Sequence, residues 1–153
     1  MRALEVWLAE HRFALPVAAI DEVLPLVDSR AMPQAPAWLI GMVQLRGAFV
    51  PLIDCGLMVN DSPVTRTMNA RIILLQVGAT GGAIRLALLV DAVGAVVTLN
   101  PDAEGTHPGL ERVACGALGT MMLDASGEIT LIEVTKLLSD EDRKLFRDST
   151  KSV

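Results

Sequence analysis

The chain has 153 residues, 52% hydrophobic and 20% charged, with three phenylalanines, two tryptophans and no tyrosine. That apolar content excludes a disordered chain, and the length suits one domain or two very small ones sharing a core. The net charge is −5, and residues 1–133 hold eight arginines, no lysine and 14 acids; no basic stripe is available to release counterions from nucleic acid or to hold an anionic membrane.

No apolar run approaches the roughly 18 residues of a membrane span. Glu5 and Glu10 interrupt any leader-like stretch, which points to a cytoplasmic protein. Cys55 and Cys115 lie 60 residues apart without a CxxC, and neither His11 nor His107 stands at metal-ligand spacing from a cysteine. Two small buried hydrophobes in a reducing compartment are the expected role of such cysteines.

In chain order the periodicity is mostly that of strands. Ala3–Ala9 alternates at its start, Glu10–Arg12 turns, and Phe13–Val17 returns as the second arm of a hairpin. Ala18–Leu24 carries Ile20, Val23 and Leu24 at helical spacing, which predicts one or two helical turns. Pro25, Pro33 and Pro36 keep the following segment extended. Pro36–Ile40 reads as a helical turn stopped by Gly41.

Met42–Leu45 and Ala48–Ile53 form a hairpin across Arg46-Gly47, and Asp54 caps a short helix reaching Val59. Asn60–Asn69 is a polar loop. Arg71–Val77 and Ala83–Val90 are strands around the turn Gly78–Gly82, and Val93–Leu99 is another strand. After the loop Asn100–Gly109, Val113–Leu123 and Glu128–Ile132 make the last hairpin. Ser139–Asp142 starts a terminal helix that docks through Leu145 and Phe146. About ten short strands argue a barrel or sandwich.

The chain also repeats itself. Arg12–Val23 and Arg85–Val96, offset by 73, agree at six of twelve positions; Leu52-Ile53-Asp54 and Leu131-Ile132-Glu133, offset by 79, each follow a hairpin turn. Two similar units, each too small to bury a core alone, are therefore expected.

Few residues could carry chemistry. The glycines at 78, 81 and 82 meet no helix N-terminus, and neither GxSxG nor HExxH occurs. A small hydrolase would have to enlist His107 with Cys115 or Asp102. Arg46 stands out: it sits at a tight turn between apolar strands, either as a solvated turn residue or as a guanidinium held at the mouth of an apolar groove, where it meets a partner's carboxylate or carbonyls.

Phe13-Ala-Leu-Pro-Val17, Ile20-Asp-Glu-Val23, Pro36-Ala-Trp-Leu-Ile-Gly41, Val43-Gln-Leu-Arg-Gly47, Val50-Pro-Leu-Ile-Asp54, Ala87–Val93 and Gly116–Gly119 stand in this order. Together they resemble the CheW-like coupling proteins of bacterial chemosensory arrays. The resemblance covers about residues 3–138, and its most specific part runs from Gly41 to Asp54.

The resemblance implies a mainly β fold of two intertwined five-stranded SH3-like barrels over 1–138, followed by a short C-terminal helix and tail over 139–153. It implies an adaptor with no catalysis, cofactor or metal, joining the cytoplasmic tip of a methyl-accepting chemoreceptor to the regulatory domain of a CheA-type histidine kinase. Its place would be cytoplasmic, at membrane-associated receptor arrays, without insertion into the membrane. The receptor-binding positions it implies are Ile20, Glu22, Gly41, Leu45, Arg46 and Gly47; the kinase-binding ones are Leu26, Arg30 and Met32. The polar N-terminal extension usual in the family is absent and aromatics are few. A CheW-like scaffold of a non-chemotaxis pathway, or one that caps arrays, is the alternative within the same class.

Overall fold

The computed structural model describes residues 1–77, 84–100, 118–124 and 126–137. The turn at 78–82, the loop to Gly109, the start of the strand at Val113, the C-terminal helix with Leu145 and Phe146, and both His107 and Cys115 lie outside the described residues.

Ten strands and one short helix make up the described chain: β1 (Arg2–Leu8), β2 (His11–Pro16), β3 (Ile20–Leu24), β4 (Leu39–Leu45), β5 (Ala48–Asp54), α1 (Cys55–Val59), β6 (Arg71–Val77), β7 (Ile84–Val90), β8 (Ala92–Thr98), β9 (Leu118–Asp124) and β10 (Gly127–Ile132). Single 3-10 turns lie at Val17–Ala19 and Val134–Lys136. Asp54 caps α1 as its position predicts: its carboxylate accepts from the Leu57 amide at 3.0 Å and from the Val64 amide at 3.2 Å.

Two expectations need correction. Ile20–Leu24 is strand β3, not helix; its burial alternates, and it pairs antiparallel with β6. The three-residue spacing of Ile20 and Val23 reflects a bulge between Ile20 and Glu22, because one extra residue shifts the period of a strand. Gly41 likewise stops no helix. The Pro36–Leu39 segment is one turn, closed by the Leu39 amide on the Pro36 carbonyl at 3.0 Å, and Gly41 lies inside β4.

The strands form two five-stranded sheets, β8-β1-β2-β10-β9 and β3-β6-β7-β5-β4. The second order becomes the first when β1 is matched to β6, β2 to β7, β3 to β8, β4 to β9 and β5 to β10. The registers match as well. Leu52 opposes Ala87 in the parallel pair β5–β7, and Leu131 opposes Ala14 in β10–β2; these pairs interconvert at offsets of 79 and 73. Leu39 opposes Ile53 just as Leu118 opposes Ile132, each beside a bulge.

Topology thus repeats what the sequence repeats, with one difference. Each sheet takes two strands from one repeat and three from the other, so neither repeat holds a complete sheet. The expected mainly β fold of two intertwined five-stranded SH3-like units is what the described strands form, as two five-stranded sheets.

One large apolar cluster spans both sheets. Leu4, Val6, Leu8, Phe13 and Leu15 of the first sheet pack with Val43, Ile53, Ile72, Ile73, Leu86 and Leu88 of the second. Each fully buried side chain of this kind stabilises the fold by roughly 1.5–3 kcal/mol before entropy is counted. Ala3, Ala14, Leu99, Met122 and Ile129 form a smaller core on the other face of the first sheet. Cys55 is buried in the large cluster, as a small hydrophobe is expected to be.

Candidate functional site

The β4–β5 hairpin turns in two residues, Arg46 with φ 53° and Gly47 with φ 80°. Positive φ at both central positions matches the twist of the flanking strands and defines a type I′ turn. Gly47 adopts it freely. Arg46 does not, since a Cβ in the left-handed region costs roughly 1–2 kcal/mol. The tip of this hairpin therefore carries a residue chosen against its local preference.

The Arg46 guanidinium donates from Nη2 to Oε2 of Glu22 at 2.6 Å. The bulge in β3 places Glu22 for this contact. Ile20 opposes Leu75 while Glu22 opposes Leu74, its neighbour, so residues two apart fall on opposite faces of the sheet. Ile20 packs against the large core, and Glu22 lies across from the hairpin tip. The Arg46 side chain is 70% exposed and that of Glu22 33%. A pair so wet contributes less than about 1 kcal/mol; its effect is to hold a guanidinium at a defined place on the surface.

Asp21, Glu22, Arg46, Leu74 and Arg85 line one shallow cleft beside this pair. Phe49, opposite Gln44 in the same hairpin, is 40% exposed and adds an apolar surface nearby. Leu45 is half-buried against the core. Glu22, Arg46 and Gly47 are thus brought together, with Leu45 beneath them, while Ile20 faces inward.

Gly41 belongs to a different contact. A Cβ there would run into the backbone oxygen of Arg30. The Arg30 and Met42 backbones exchange two hydrogen bonds of 2.8 Å, so the glycine lets the chain after β3 pair against β4. Of the other residues on that segment, Leu26 is exposed, and Met32 is half-buried and packed on the core. A charge at Met32 would strike packing as well as surface.

Asp21, Leu74, Phe49 and Arg85 were not singled out by the sequence as site residues. For Arg85 a signal existed, because it sits at the repeat equivalent of Arg12. Among the described residues no three His, Cys, Asp or Glu side chains could hold a metal ion together. No described helix is long and apolar enough to cross a membrane. The cleft offers two guanidiniums, two carboxylates and apolar flanks, which is the chemistry of a contact surface.

The CheW-like domain family matches residues 2–142. The chain belongs to the CheW-like family. This CheW-like chain is 30% identical over 139 residues to the "Probable chemotaxis protein CheW" of Rhizobium etli, covering 88% of this chain and 85% of that one. To the "Chemotaxis protein CheW" of Rhizobium meliloti it is 25% identical over 138 residues, covering 90% and 86%. Its fold matches that of the scaffolding protein TtCheW from Thermoanaerobacter tengcongensis, with a TM-score of 0.76, 22% identity and coverage of 90% of this chain and 87% of that one.

Proposed function

We propose that this CheW-like protein is a non-enzymatic adaptor of chemotaxis signalling, joining the cytoplasmic tip of a chemoreceptor to the regulatory domain of a CheA-type histidine kinase at membrane-associated arrays. The observation that carries the reading is the Glu22–Arg46 pair on a strained type I′ hairpin tip. It lies in the Leu-Arg-Gly turn of a family whose relatives are named for chemotaxis. An arginine in a backbone conformation that disfavours it, placed at an exposed tip beside a cleft, supports a role in contact.

A receptor tip is a helical hairpin, so its surface offers apolar anchors with a few polar groups. Phe49 and Leu45 supply apolar surface, and Arg46 supplies a forked donor. The kinase side is assigned to the segment after β3, with Leu26 and Arg30 outward and Met32 supporting it from the core side. The chain over 1–138 works as one unit in this reading, with 139–153 as its C-terminal appendage.

Isothermal titration calorimetry with a soluble receptor fragment and, separately, with the kinase regulatory domain tests the proposal. Arg46→Ala should lose about 1–3 kcal/mol of receptor binding and keep its kinase affinity. Equal loss for both partners would make Arg46 a residue of the fold, and unchanged receptor binding would make it a solvated turn residue.

A further inference from the structure

The internal repeat supplies a template for the docking cleft. In the first sheet Glu5 of β1 and Arg12 of β2 lie on one face. The Arg12 guanidinium donates to Glu5 Oε2 from Nε at 2.9 Å and from Nη2 at 2.6 Å, and Trp7 Nε1 donates to Glu5 Oε1 at 3.1 Å. The pair is enclosed, with side-chain exposures of 7% for Arg12 and 16% for Glu5. Gly94 of β8 makes room for it, since a Cβ there would run into the Glu5 carboxylate.

The second sheet carries the same positions with different residues. Arg12 becomes Arg85, which opposes Gln76 where Arg12 opposes Trp7. Glu5 becomes Leu74, each opposite the alanine of the matching pair, Ala87 or Ala14. Gly94 and Ala95 become Asp21 and Glu22. The second half thus keeps the arginine and lacks the carboxylate that pairs with it in the first. Glu22 is engaged by Arg46, and among the described residues Arg85 forms no salt bridge and is exposed in the cleft.

We infer that Arg85 is a carboxylate-binding residue of the docking cleft, receiving an acidic side chain from the partner's helix at its exposed guanidinium; Asp21, standing where Gly94 makes room for Glu5, keeps that side chain at the mouth of the cleft. This rests on the receptor reading above and specifies its chemistry. An apolar Leu74 forms the floor, so the entering group is an aspartate or glutamate whose stem lies on Leu74 and whose head meets the guanidinium in a fork. Asp21 and Glu22 at the rim repel a bare anion. They favour a carboxylate delivered on an amphipathic helix whose other groups meet Arg46 and Phe49.

The test is binding of a soluble chemoreceptor cytoplasmic fragment from the source organism to the full chain. Arg85 is exposed, so Arg85→Gln and Arg85→Glu should fold, which circular dichroism checks. Arg85→Gln should weaken binding about tenfold, the scale of a charge-assisted hydrogen bond, and Arg85→Glu should weaken it further. A fragment in which one tip glutamate or aspartate is changed to its amide should lose affinity to the wild-type chain and lose nothing more to Arg85→Gln. Full affinity of Arg85→Gln, alongside loss in Arg46→Ala, would overturn this inference and leave the receptor reading standing. Full affinity of both variants would overturn this inference and the placing of the receptor at this cleft, and no binding by the wild-type chain would overturn the receptor reading as well.

Discussion

Arg46→Asn separates the two roles that a turn residue can have. Asparagine tolerates the left-handed region far better than arginine, so the replacement relieves part of the roughly 1–2 kcal/mol that Arg46 costs at φ 53°. It also removes the Glu22 pair, worth less than about 1 kcal/mol at this exposure. The balance lies between no change and a gain of about 1 kcal/mol. For a chain of this length that is a melting-temperature rise of no more than about 4 °C. Receptor binding should move the other way, falling by about 1–3 kcal/mol, roughly 5- to 150-fold. Differential scanning calorimetry and titration calorimetry on one preparation measure both. A loss of stability above about 1 kcal/mol together with unchanged receptor affinity would refute the reasoning, because Arg46 would then be a residue of the fold alone.

Glu5→Leu removes both Glu5 hydrogen bonds of the enclosed Arg12 guanidinium, which keeps its bond to the Glu128 carbonyl at 3.3 Å, and should cost about 3–5 kcal/mol in denaturant unfolding; the double variant Glu5→Leu/Arg12→Leu should recover most of that loss. Gly41→Ala drives a methyl into the Arg30 carbonyl, which is backbone and yields only by breaking the Arg30–Met42 bridge. A cost of about 1–3 kcal/mol is expected in thermal unfolding, with kinase binding reduced more than receptor binding. Leu26→Glu puts a charge on an exposed residue and should weaken kinase binding while the melting temperature stays within about 2 °C, as for other surface changes.

Much of the fold was legible because hairpin arms announce themselves by apolar alternation and two-residue turns. β1–β2, β4–β5 and β6–β7 were found within three residues of their observed bounds, the largest difference being β4, read from Met42 and observed from Leu39. β3 was misread because its bulge sets Ile20 and Val23, three apart as on a helix, opposite Leu75 and Ile73 of β6, and only that pairing reveals the strand. Gly41 was misread for a related reason: its partner is Arg30, eleven residues earlier and separated by two prolines, and no local pattern records that approach. The Arg46 turn was visible as an arginine before glycine between apolar strands. Its partner Glu22, 24 residues away, depends on the bulge and could not be paired from spacing. Arg85 was visible only through the repeat, as the mate of Arg12, and what distinguishes it is a missing partner rather than a motif.

The same intertwining that hides the site in sequence makes it rigid. β3 carries Glu22 and leads into the segment holding Leu26 and Arg30; the Arg30–Met42 bridge ties that segment to β4, and β4 ends three residues later at Leu45, just before the Arg46 hairpin tip. The Glu22–Arg46 pair closes the circuit. Both proposed surfaces therefore sit on one hydrogen-bonded loop of chain, anchored on the core through Ile20, Leu24, Met32 and Leu45. Among the described residues no second arrangement of this circuit is present, and coupling between sites requires a bistable element. Under the proposed function, the signal passed would be one of placement. A bound receptor would then fix where the kinase domain stands, so substitutions in the circuit should alter both affinities through the fold, whereas those at Arg46, Arg85 or Leu26 should alter only one.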